Sequence, residues 1–246
     1  SIRRTGRTVF SYRPGEPLPD YKLYFTHTKD TFEINHAGYR LLQSKCYLQS
    51  AGRMTCTTCH DPHSARVKAG ACQSCHPGGH SAEHKECVSC HMPKRRSEDA
   101  VHVVMTDHRI LRTLPEADLR AARRENAAPY TGPIRLFYPF GAEEPLYLAA
   151  AQVRERNNVE AGMQALERLV DKESAAPFWF DLAETRRQRS DWKGAEAAYR
   201  EAIRRGPADP RYLAALGDLL LRTGRAQEAV RLLNKSAMPA ARVTLA

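Results

Sequence analysis

Cys56-Thr57-Thr58-Cys59-His60, Cys72-Gln73-Ser74-Cys75-His76 and Cys87-Val88-Ser89-Cys90-His91 repeat one pattern three times within 36 residues. Cys-x-x-Cys-His is the spacing of covalent haem attachment. The two thiols can add to the two vinyl groups of one porphyrin, and the histidine that follows reaches the iron as an axial ligand. Every Cys-x-x-Cys pair is followed by His, although His supplies only 10 of 246 residues, and six of the seven cysteines are used. The sequence therefore predicts three covalently bound haems c. Cys56, Cys59, Cys72, Cys75, Cys87 and Cys90 would attach them, and His60, His76 and His91 would be the proximal iron ligands.

Other chemistries use the same residue types. Two Cys-x-x-Cys pairs make one structural zinc site, but three pairs leave an odd one, and zinc gives no reason for a His directly after each. A thioredoxin-like motif needs a single pair in a βαβ context, which the sequence does not show. A disulfide framework would require an oxidising compartment. Cys46, the seventh cysteine, reads as a packing residue on a helix, with an intermolecular bond as the alternative.

The whole chain sets further bounds. It is 42% hydrophobic and 27% charged, which suits a soluble protein of one or two domains. No run of 18 apolar residues offers a membrane span. No leader follows Ser1-Ile2-Arg3-Arg4, so a haem-bearing chain would be processed or truncated here. The formal charge is +10. Nucleic acid has no supporting fold motif, and haem propionates give the cations another partner. Lys94, Arg95 and Arg96, with Arg109 and Arg112, are placed for that; a solvated charge run is the simpler alternative.

Two kinds of sequence are joined. All seven Cys and all ten His precede residue 109. Residues 1–112 read as loops with short helices, one of them spanning Asn35 to Ser50. Thr113 and Glu116 have the spacing of a capping box, predicting a helix to Arg124 in a helical linker over 113–141. Residues 142–246 repeat. Leu148, Leu182 and Leu216 are 34 apart, as are Ala161, Ala195 and Ala229. With Trp179, Tyr199, Ala202 and Pro207 in the middle copy and Gly217 in the last, this resembles the tetratricopeptide repeat. The first copy is weaker, with Pro145 where Trp is usual. Three helix pairs stacked as a solenoid are expected. The fold class is mainly α: a loop-rich multihaem cytochrome c domain followed by a tetratricopeptide-repeat solenoid.

Three irons also need ligands on their other faces. His27, His36, His63, His80, His84, His102 and His108 are candidates, as are Met54, Met92 and Met105; Met92 is too close to His91 to reach across the same haem. Four stretches carry a more specific likeness. They are Tyr12-Arg13-Pro14-Gly15-Glu16-Pro17-Leu18, Tyr39-Arg40-Leu41-Leu42-Gln43-Ser44-Lys45-Cys46-Tyr47, Thr55-Cys56-Thr57-Thr58-Cys59-His60-Asp61-Pro62-His63, and Cys90-His91-Met92-Pro93-Lys94-Arg95-Arg96 followed by Val101-His102-Val103-Val104-Met105-Thr106-Asp107-His108. These resemble secreted bacterial multihaem c-type cytochromes with C-terminal tetratricopeptide repeats, similar in motif style to the nitrite reductase and hydroxylamine oxidoreductase superfamily. The likeness runs along essentially the whole chain. It implies His63, His80, His102 and His108 as distal ligands, with His84 as substitute for His80, a periplasmic or extracellular location, and a further haem-bearing segment or subunit upstream of Ser1. No Cys-x-x-Cys-Lys variant is present, so the special catalytic haem of nitrite reductases is not encoded.

The expected function is electron transfer. The motifs start 16 and 15 residues apart, tethers short enough to keep neighbouring haems close. Bis-histidine ligation would leave no open iron and favour low potential. The alternative is an oxidoreductase that reduces a small nitrogen or sulfur oxyanion at an open haem. The repeats, with Phe180, Glu184 and Arg187 or Arg211, Asp218 and Leu221 on their faces, would dock a redox partner: another cytochrome, another protein or a copy of the chain itself.

Overall fold

The computed structural model describes residues 1–64, 66–78, 86–100, 102–122, 130–138 and 142–234. In chain order the strands are β1 (Ile2–Arg3), β2 (Lys22–His27), β3 (Lys94–Arg96), β4 (Val104–Thr106) and β5 (Ile134–Tyr138). The helices are α1 (Ala37–Leu42), α2 (Lys45–Gln49), α3 (Cys56–Cys59), α4 (Cys87–His91), α5 (Pro145–Arg154), α6 (Val159–Leu169), α7 (Ala176–Gln188), α8 (Trp192–Arg205), α9 (Pro210–Arg222) and α10 (Ala226–Asn234). The fold is mainly α, as expected.

The chain divides into two compact units, Ser1–Lys29 with Pro129–Ala246, and Asp30–Ala128. The expected boundaries followed composition and placed residues 1–29 with the cysteine motifs. Strand pairing places them elsewhere. β1 and β5 flank β2 in one antiparallel sheet, with Ile2 opposite Leu23 and His27 opposite Ile134. Leu23 and Phe25 alternate with polar neighbours, so one face of this sheet is apolar. Ile2, Leu23 and Ile134 bury it against Tyr147, Ala150, Ala151 and Phe178.

The remaining helices of this unit pack as successive pairs, α5 with α6, α7 with α8 and α9 with α10, and each pair touches the next. The turns are short, which makes partners antiparallel neighbours. Asp191 caps α8 by accepting from the Gly194 amide at 2.9 Å. Ala195, Ala198, Tyr199 and Ala202 then fall on one buried stripe of that helix, the spacing of a helix face. Asp209 caps α9 in the same way, and Gly224 at φ +76° takes the left-handed turn into α10. Leu182, Leu216, Ala195 and Ala229 are buried as the 34-residue spacing predicts. In the first pair Leu148 and Ala161 are only half-buried. The reason is local: α5 lies against the sheet through Tyr147, Ala150 and Ala151, where the later pairs lie against helices. Phe180, expected on a docking face, packs on Tyr199 and Tyr212, and Glu184 accepts from the Tyr199 hydroxyl and from Arg187.

Two expected helices are corrected. The single helix over Asn35–Ser50 is broken into α1 and α2. Ser44 is extended (φ −72°, ψ 143°) and accepts from the Tyr47 amide, while its hydroxyl donates to the Leu41 carbonyl at 2.7 Å. It ends one helix and caps the next. The helix expected from Thr113 is absent over its described residues, 113–122. Carbonyls of this stretch serve β3 instead: the Arg96 amide donates to Leu119, and its Nε donates to Arg120 and Ala121 at 3.0 Å. The expected linker over 113–141 holds β5 as its one regular element among the described residues.

Candidate metal centre

All three Cys-x-x-Cys-His motifs lie in the Asp30–Ala128 unit. The first and third form single helical turns, α3 and α4, and the second is a hydrogen-bonded turn in which the His76 amide donates to the Cys72 carbonyl at 3.0 Å. Thr55 and Thr58 form a capping box that starts α3. In each motif the cysteines are three positions apart, the spacing that puts two side chains on one side of a turn. None of the seven cysteines is in a disulfide. Burial pushes the Cys59 thiol up, helped by Cys75, and pushes the Cys72 thiol up, helped by Cys87. Raised thiols are poor nucleophiles for disulfide exchange. Cys46, half-buried on α2, is close enough to Cys59 and Cys72 to add to both shifts.

The histidines separate into groups. His91 ends α4 and is held from two directions by one residue: Leu111 donates its amide to the His91 carbonyl at 2.9 Å, and its own carbonyl lies 2.6 Å from His91 Nδ1. A carbonyl partner requires the proton on Nδ1, which puts the lone pair on Nε2, the tautomer that binds metals. His108 has the same arrangement, with Nδ1 at 3.1 Å from the Thr106 carbonyl. His60 follows α3 in extended backbone, in an isolated bridge with Val67. Its ring centroid is 6.2 Å from that of His108, at an interplanar angle of 33°. His63 is exposed, its amide bound by Asp61, and His76 and His102 are exposed as well. Expected ligands His80 and His84 lie outside the described residues. His36 is engaged with Glu33, and His27 stacks on Tyr130 at 3.8 Å.

The β3–β4 hairpin joins these parts. Lys94 pairs with Thr106, Arg95 with Met105 and Arg96 with Val104, so the chain leaving the third motif leads back to His108. Beneath it lies a charged cluster. Asp107 is 1% exposed and receives Arg40 Nε at 2.8 Å and a terminal nitrogen of Arg40 at 2.7 Å. Arg95 joins Asp30 at 2.9 Å and Glu98 at 3.4 Å and lies over the Phe32 ring. This corrects the solvated-run expectation at Arg95, which is buried in ion pairs; Arg96 binds backbone through Nε. Sequence reasoning missed Arg40 and Asp107 altogether. The signal available was a lone Asp beside a candidate ligand, which no spacing connects to an arginine 67 residues away.

The donor set suits an iron porphyrin: paired thiols one turn apart, imidazoles in the ligating tautomer, and two imidazoles with ring centroids 6.2 Å apart. Among the described residues no three His, Cys, Asp or Glu side chains gather as a site for a bare metal ion. A scan against protein-family models gave no match, and a search of curated proteins gave none.

Proposed function

We propose that this chain is a multihaem c-type cytochrome. Cys56 and Cys59, Cys72 and Cys75, and Cys87 and Cys90 each attach one haem, and His60, His76 and His91 bind the irons. One observation carries the reading: a motif present three times, which at α4 folds with its histidine held in the metal-binding tautomer by the Leu111 carbonyl. The haems, once bound, supply reversible one-electron chemistry. The chain's own residues would tether them, supply imidazole ligands to the irons and limit their spacing, because the motifs start only 16 and 15 residues apart.

The six helices α5–α10 fit a tetratricopeptide-like array, and their part in this reading is docking of a redox partner or a second copy. Their described residues contain no Cys and no His, so they contribute no haem ligand of either type. No described helix is long and apolar enough to cross a membrane. Covalent haem attachment and the family resemblance favour a periplasmic or extracellular location.

A pyridine haemochrome assay on the purified chain is expected to count about three haems that acid–acetone does not extract. Changing Cys87 and Cys90 to Ser should lower the count to two. A colourless protein containing zinc would end the reading.

A further inference from the structure

Resting on that reading, we propose that His60 and His108 hold the iron of the first haem from opposite faces, and that the buried Arg40–Asp107 pair is the brace that keeps His108 in place. An iron bound by two imidazoles at nitrogen–metal bond lengths of about 2 Å separates their ring centroids by roughly 6 Å. The His60 and His108 centroids are 6.2 Å apart. The backbone carbonyl of Thr106 takes the Nδ1 side of His108, which assigns ligation to Nε2. Although His60 and His108 lie 48 positions apart in sequence, the fold brings their rings to that separation, tilted by 33°.

The brace accounts for that approach. His108 follows directly on Asp107, whose carboxylate accepts from Nε and one terminal nitrogen of the Arg40 guanidinium and from the amide of Arg109 at 2.9 Å. The Asp107 amide donates to the Pro93 carbonyl at 2.8 Å. Arg40 is itself 2% exposed and also binds Asp30. A buried ion pair adds little stability over an apolar pair, and breaking it is costly. Its effect here is positional: it locks residue 107 against α1, and therefore the residue beside it.

The test uses the full-length protein with its haems. His108→Ala should keep three haems by pyridine haemochrome and turn one of them from low spin to high spin by electron paramagnetic resonance. Added imidazole should restore low spin. Three haems with an unaltered spectrum would overturn the pair, whereas a wild-type chain without haem would overturn the functional reading beneath it. His108→Met offers a gentler exchange: the haem should stay six-coordinate with a raised potential, and an unchanged potential counts against the pair. In a chain that lacks the first haem through Cys56→Ser and Cys59→Ser, His108→Ala should add no high-spin signal; a new signal there assigns His108 to another iron and overturns the pairing. For the brace, Asp107→Asn should give a high-spin fraction, while Asp181→Asn, at a buried carboxylate paired with Arg154, should give none. An Asp107→Asn protein that is less stable but wholly low spin would reduce the pair to a structural role and overturn the brace.

Discussion

At the scale of single residues, Asp30 makes the charged cluster around Arg40 and Arg95 testable. Burial would raise its carboxyl, but hydrogen bonds and charge from Arg95 and Arg40 outweigh burial and hold it below the ordinary value of 3.8. A depressed acid stabilises the fold above its unfolded value and loses that contribution as the pH falls through the folded one. The stability difference between wild type and Asp30→Asn should therefore be present at about pH 7 and shrink as the pH falls below the ordinary carboxyl value. Denaturant unfolding across that pH range measures it, and a constant difference would contradict the assignment. The Cys-x-x-Cys-His motifs were legible because adjacency alone exposes them, whereas the partners of His91 and His108 are backbone carbonyls and Arg40 meets Asp107 across 67 positions, so nothing in the spacing reveals them.

At the scale of elements, the 34-residue repeat was readable because helix pairs stack by burying small and large residues at fixed offsets. The position after each repeated leucine is small and buried in every pair, as Ala149, Ala183 and Gly217. The strands were less readable. β1 has two residues and β3 and β4 three each, too short for alternation to stand out. The helix at Asn35 was misjudged because Ser44 reads as one polar residue in a periodic stretch until its capping bond is seen. Close approach of α5 and α6 gives the sharpest energetic expectation. A Cβ at Gly162 would lie 2.8 Å from the Gln152 Cβ and 3.0 Å from the Ala149 carbonyl oxygen. Gly162→Ala should cost about 1–3 kcal/mol through overpacking. Gly38→Ala in α1, where a Cβ meets nothing within 4 Å, should be neutral or stabilising by up to about 1 kcal/mol. Equal losses at both sites, seen by chemical denaturation, would contradict the packing described.

At the scale of the whole molecule, the division differs from the one that composition suggests. The last Cys or His of the chain is His108, yet the N-terminal strands belong with the helical array, because β1 and β2 need β5 as a partner and Tyr147 and Phe178 as cover. A cut at residue 142 would expose that sheet, whereas residues 30–128 form a unit by themselves. That segment alone, matured with haem, is expected to retain all three haems and the low-spin spectrum of the full chain. Fewer than three would place an attachment requirement in the other unit. Covalent haem at all three motifs is tested most directly by the intact mass of the denatured, matured chain. The predicted mass exceeds that of the polypeptide by three haem groups; the mass of the bare polypeptide, obtained from cells able to attach haem, would contradict it.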